Sequence, residues 1–187
     1  MVNVYYIVSC MQKKITITGK KNIDPINNTR TPTRTQSESW NISDKMCASQ
    51  RQIEYVNQLY LGTEFTYKSI CEKELYKKWY GYKRQDIDKG LFVESKLITI
   101  EQIYENLMLS KLKCYYCNED CLLLYKDVLA KRQWTLDRID NQMGHNEDNV
   151  VICCLECNIK RGSMDCKRFK MGKSIRKVNK IDGNGND

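Results

Sequence analysis

Two Cys-x-x-Cys pairs, Cys114/Cys117 and Cys154/Cys157, bracket residues 118–153 of the chain. Such a turn aims two thiolates at one ion, and two turns complete a tetrahedral zinc site. Zinc keeps the thiols deprotonated, and its binding free energy becomes folding free energy. The spacing therefore predicts a small module pinned by one structural Zn2+, with both pairs brought together. A lone pair would leave a thioredoxin-like redox site open, which two pairs in one short stretch argue against. Cys153 adjoins Cys154, but Cys154 alone keeps the two-residue gap to Cys157. Cys121 gives a wider gap and is left out of the ligand set.

Between the pairs, Trp134 to Ile139 carries β-formers and an aromatic and predicts a strand. Asn141 to Asn149 is rich in Asn, Asp and Gly and predicts a loop. Val150, Val151 and Ile152 predict a second strand. Leu155, Ile159 and Lys160 then predict a short helix that Gly162 ends. The order is strand, loop, strand, helix, with zinc joining the helix start to the upstream knuckle.

The pieces Cys114-x-x-Cys117, Leu136-Asp137-Arg138-Ile139-Asp140, Gly144-His145, Asp148-Asn149-Val150 and Cys154-x-x-Cys157-Asn158-x-Lys160 together resemble an HNH endonuclease, the zinc-containing branch of the His-Me finger (ββα-metal) nucleases. The resemblance covers roughly residues 100–170. It implies an α+β fold: a small zinc-pinned ββα-metal module with a helical region before it. It implies that Asp137, and Asn158 directly after the last zinc cysteine, hold a catalytic Mg2+ or Mn2+ against the scissile phosphate. Oxygen ligands with open positions suit Mg2+, which keeps several waters, and the ion stabilises charge on the leaving oxygen. Asn149 matches the family's middle asparagine, which braces the loop through backbone hydrogen bonds.

One position departs from the pattern. The residue after the metal-binding Asp is usually the His that activates water; here it is Arg138, whose guanidinium stays protonated and cannot be a base. The chain has one histidine, His145, whose imidazole has the pKa to take a proton from water near neutral pH. His145 is therefore the candidate base and Arg138 a phosphate clamp. The competing reading makes His145 a polar loop residue in a weak or dead site. Asp140 is either a turn former or a further ligand.

Net charge is +8, from 31 Lys+Arg against 23 Asp+Glu, which favours a polyanionic partner, most simply DNA, with RNA as the alternative. Lys160, Arg161, Lys167, Arg168 and Lys170 are the candidate nucleic-acid contacts. Lys173, Arg176, Lys177 and Lys180 follow, and no acid interrupts the segment from Lys167 to Lys180. Ten cysteines in a zinc pattern suit an intracellular, reducing compartment, cytoplasm or nucleus. A mobile element, a phage or large virus, and a defence system are all reasonable homes. Val2 to Met11 is too short to span a bilayer and has no basic residue before it, so an opening strand or hairpin is expected and no membrane partner.

The chain divides into four stretches. Residues 1–46 form an N-terminal segment and polar linker holding both prolines. Residues 47–98 form a helical region that could contact DNA, residues 99–170 the zinc module, and residues 171–187 a basic tail. Ser49 to Gln52, Ser69 to Glu72 and Thr99 to Gln102 each predict a capping box, and Gly62 and Gly81 helix ends. Tyr76, Trp79, Tyr80 and Tyr82 lie among Lys73, Lys77, Lys78, Lys83 and Arg84. They are either a stacking and phosphate surface or an ordinary amphipathic helix, the reading preferred here.

Three functions compete: a metal-dependent endonuclease, a catalytically weak or inactive zinc module that binds nucleic acid, and a zinc-stabilised protein-interaction module. The set Asp137, Asn149 and Asn158 favours the first and Arg138 the second. The net charge argues mildly against the third.

Overall fold

The computed structural model describes residues 2–8, 11–17 and 47–175; the linker 20–46 and the end of the basic tail lie outside the described residues. The chain separates into two units, residues 1–34 and 35–187. In the first, β1 (Val2–Val8) and β2 (Met11–Ile17) pair antiparallel, with Val2 opposite Ile17 and Val8 opposite Met11. This is the expected hairpin.

The second unit is α+β, as the sequence predicts. It contains α1 (Ser49–Tyr60), α2 (Lys68–Asp88) and α3 (Ile100–Leu109), then a long connection to β3 (Trp134–Arg138). A 3-10 turn (Glu147–Asn149) leads into β4 (Val150–Cys154), followed by α4 (Leu155–Arg161) and α5 (Cys166–Ile175). β3 and β4 pair antiparallel, with Trp134 opposite Cys154 and Arg138 opposite Val150. Two strands alone are marginal in water, and here helices cover them. Val56 of α1, Leu75 of α2, Ile103 and Leu107 of α3, Trp134 and Leu136 of β3 and Ile152 of β4 share one core. Ile103 and Leu107 stand four apart and so face the same way.

Helix ends follow the sequence in part. Thr99 and Gln102 form the expected reciprocal box, and Gly62 follows α1 at φ 68°, where glycine is least strained. The other two boxes are absent. α1 starts after Ala48 with no side-chain cap. Gln52 turns inward, donating to the Cys47 carbonyl at 2.7 Å and accepting from the Leu124 N–H at 2.9 Å. α2 starts after Tyr67, also without a side-chain cap, and runs through Gly81 to Asp88. A glycine inside a helix costs about 1 kcal/mol against alanine. Burial of the apolar side chains Cys71, Leu75 and Tyr82, which share one stripe with Asp86, outweighs that cost.

The stripe formed by those four residues also divides the basic-aromatic cluster. Trp79 donates from Nε1 to the Ile98 carbonyl at 2.7 Å, and Tyr82 Oη accepts from the Leu136 N–H at 2.9 Å. Lys78 turns in as well, donating to Gln133 Oε1 and the Trp134 carbonyl at 2.9 and 2.7 Å. Burial pushes its ammonium down to about 8. Tyr76 and Tyr80 stay exposed. The amphipathic-helix reading fits most of the cluster, although Lys78 is not solvated. No helix among the described residues is long and apolar enough to cross a membrane.

Candidate metal centre and adjoining cleft

The first knuckle follows α3. Asn118 closes it at φ 57°, donating its N–H to the Cys114 carbonyl at 2.9 Å, while the Tyr115 N–H reaches the Ile152 carbonyl of β4 at 2.9 Å. The second pair sits where β4 ends and α4 begins, Cys154 being the N-cap of α4. The sulfur atoms of Cys114, Cys117, Cys154 and Cys157 all lie within 4.8 Å of one another. A tetrahedral zinc with Zn–S near 2.3 Å asks for sulfurs roughly 3.8 Å apart, and Cys117 and Cys154 are 4.0 Å apart. All four are free thiols. The donor set fits a closed structural zinc site. Adjacent strand residues point to opposite faces, so Cys153 points away from the cluster and lies 3.2 Å from Thr135 Oγ1. Cys121 lies beside the cluster. Its thiol, followed by that of Cys154, hydrogen-bonds Cys114 and holds it well below the ordinary thiol range.

On the other side of β3 lies an open cleft of about 610 Å3. The C-terminal half of α2, β3, the interstrand loop and α4 form its walls. Asp137, Arg138, His145 and Asn158 all line it, so residues chosen from separate motif pieces meet in one place. Asp137 Oδ2 accepts from the Tyr116 hydroxyl at 2.6 Å, and Oδ1 from Arg161 Nη1 at 2.7 Å. Burial, reinforced by Asp137, pushes the Tyr116 phenol up and keeps it a donor. A carboxylate has about four lone-pair positions, so these two bonds orient it without filling it.

Arg161 corrects the sequence reading. It is 3% exposed and braces the turn after β3 from inside, donating to the Arg138, Ile139 and Met164 carbonyls at 2.5, 2.9 and 2.9 Å. It is not a surface contact for nucleic acid. A planar fork with five donors serves this purpose as well as it serves phosphate, and a basic run in sequence does not distinguish the two uses.

The remaining residues take distinct positions. Arg138 donates once, to the Met143 carbonyl at 3.2 Å, and its other donors have no partner among the described residues. Asn149 ties both ends of the interstrand loop. Its Oδ1 accepts from the Asp140 N–H at 2.8 Å, and its Nδ2 donates to the Asp140 and Gly144 carbonyls at 3.0 and 2.9 Å. Asn158 Nδ2 donates to Thr135 Oγ1 and the Leu136 carbonyl at 3.1 and 3.2 Å, leaving Oδ1 without a partner among the described residues. Asp140 is exposed and accepts from the Gln142 N–H at 2.8 Å, a local turn. Lys167, Arg168 and Lys170 are exposed on α5. Lys170 Nζ stands 3.6 Å over the Tyr115 ring. Lys160 pairs with Glu156 at 2.6 Å, which offsets its charge.

His145 is buried, and its partner escaped the sequence reading. Asp86 of α2 accepts from the His145 backbone N–H at 2.6 Å and contacts Nδ1 at 2.8 Å. The Tyr82 ring covers the imidazole at 4.7 Å. A Cβ on Gly144 would stand 2.8 Å from both Asp86 Oδ2 and the Leu91 carbonyl, so only glycine admits this approach. Burial lowers the imidazole pKa below 6.5, against the opposing pull of Asp86. One signal was legible: Asp86 stands four residues beyond Tyr82 and eleven beyond Leu75, on the buried stripe of α2.

No family model and no solved structure matches the chain. It is similar to an uncharacterized protein of Acanthamoeba polyphaga mimivirus, 34% identical over 92 residues. The match takes in 49% of this chain and 15% of the viral protein.

Proposed function

We propose that the chain is a metal-dependent endonuclease of the HNH type that hydrolyses phosphodiester bonds in DNA. The observation that carries this reading is the single cleft lined by Asp137, Arg138, His145 and Asn158. One carboxylate and one amide oxygen suit a hard cation, so Asp137 and Asn158 are the residues that would hold Mg2+ or Mn2+. The ion supplies charge stabilisation at the phosphate when bound. Arg138 directs its unpaired donors at a non-bridging oxygen. His145 Nε2 takes a proton from water as the water oxygen bonds to phosphorus and the P–O bond to the departing 3′-oxygen breaks. That oxygen takes up a proton, leaving 3′-hydroxyl and 5′-phosphate ends. Similarity to a mimivirus protein supports a large-virus home.

The test is nicking of supercoiled plasmid with Mg2+, Mn2+ or EDTA across pH. A base acts when deprotonated, and burial lowers His145 below 6.5. The acid limb of kcat/KM is therefore expected below that pH, with activity retained above it. A limb above 6.5 would remove His145 from the role. A second reading, nucleic-acid binding without cleavage, is favoured by the Arg161–Asp137 ion pair, which reduces the charge Asp137 offers a cation. Wild type that binds DNA and never cuts would establish it.

Exposed α5 bases are expected to add affinity without choosing sequence. Lys167→Gln with Arg168→Gln should lower the salt slope of DNA binding by up to about 2 units, roughly 0.9 per phosphate contact. An unchanged slope would mean those side chains face solvent only.

A further inference from the structure

We propose that Asp86 is the positioning residue for His145, fixing its imidazole as the Nδ1–H tautomer with Nε2 turned to the cleft. The inference rests on reading His145 as the base. It places α2, which lies outside every motif piece of the sequence, within the working apparatus.

Asp86 is 1% exposed. A buried carboxylate needs partners, and both of its oxygens spend their hydrogen bonds on one residue: Oδ2 on the His145 backbone N–H, Oδ1 on Nδ1. The backbone bond sets where the ring starts, and the ring bond sets how it is turned. Ionised carboxylates only accept, so Nδ1 carries the hydrogen and Nε2 keeps its lone pair. Nε2 has no partner among the described residues, and His145 lines the cleft. On the far side of the loop, the His145 carbonyl accepts from the Ile98 N–H at 3.0 Å, so the residue is held from two directions.

The charged groups bearing on the ring are Asp86, Arg138 and Lys89, with the Tyr82 ring against its face. Arg138 and Lys89 disfavour an imidazolium, and Asp86 favours it. When Nε2 takes the proton from water, Asp86 stabilises the resulting charge, as an orienting aspartate does in other dyads. A plain structural link between α2 and the loop would use the same contacts but would not couple them to the pH dependence of the rate.

The test uses the full zinc-loaded chain. It has one histidine, so long-range proton–nitrogen NMR reads a single imidazole. Near neutral pH the expected result is a protonated Nδ1 and an unprotonated Nε2. Asp86→Asn is expected to lower nicking by about 10²-fold or more, against a loss near 10⁴ for an orienting aspartate elsewhere. It should also move the acid limb of kcat/KM to lower pH, because Arg138 and Lys89 then act unopposed. An Nε2–H tautomer in wild type would overturn the proposal, whether or not DNA is cut. An unmoved limb in folded, zinc-loaded Asp86→Asn would also overturn it. Should Asp86→Asn not fold, the wild-type tautomer decides. Wild type with the Nδ1–H tautomer but no cleavage would support the Asp86–His145 arrangement and remove the nuclease reading beneath it.

Discussion

Cys154→Ser is expected to abolish stoichiometric zinc binding and the cooperative melting of the second unit. Cys154 ends β4 and caps α4, so the ion it would hold joins the sheet, the helix carrying Asn158 and the knuckle after α3. The strands it leaves behind are a two-stranded pair of five residues each, too small to stand alone. A structural zinc contributes about 10–16 kcal/mol in small modules, comparable to the whole stability of a typical domain, about 5–15 kcal/mol. Cys153→Ser provides the contrast. It buries a hydroxyl beside Thr135 and should lower the melting temperature while keeping one zinc per chain. A Cys154→Ser protein that binds one zinc and melts like wild type would refute the site.

His145→Ala is expected to lower cleavage by about 10²–10⁴-fold, the range for losing a general base. Zinc content and DNA affinity should change little, since the imidazole lies outside the sulfur cluster and presents no exposed charge. Asp137→Ala should reduce cleavage at least as far, because it removes the carboxylate proposed for the catalytic cation. It also unpairs Arg161, a buried guanidinium, so some loss of stability is expected with it. Arg138→Ala should reduce turnover by weakening the hold on phosphate charge as the reaction proceeds. Full activity in zinc-loaded His145→Ala would contradict the assignment of the base.

Local pattern was enough to read the module's centre. Paired cysteines, the β-formers and aromatic from Trp134 to Ile139 and the Gly162 stop are short-range signals, and each reports on geometry within a few residues. The Thr99 box could be read for the same reason, since both partners lie on one turn. Gln52 shows where this reasoning stops: its amide had a local use as a cap and a distant one at Leu124, and tertiary packing chose the distant one. Arg161 and Lys78 repeat the lesson for charge. Each sits in a basic stretch that reads as solvated or phosphate-facing, and each is drawn inward by carbonyls that converge only after folding. Asp86 is the most instructive miss. A carboxylate on the buried stripe of a helix is unfavourable unless something meets it, and its partner lies across the fold at His145.

Whether the cleft cuts DNA through Asp137 is decided by nicking of supercoiled plasmid with Mg2+, comparing wild type and Asp137→Ala at equal zinc content. The expected result is nicked circles from wild type, suppression by EDTA before zinc is lost, and no nicking above background from Asp137→Ala. Equal nicking by the two proteins, or none from wild type with Mg2+ or Mn2+, would contradict it.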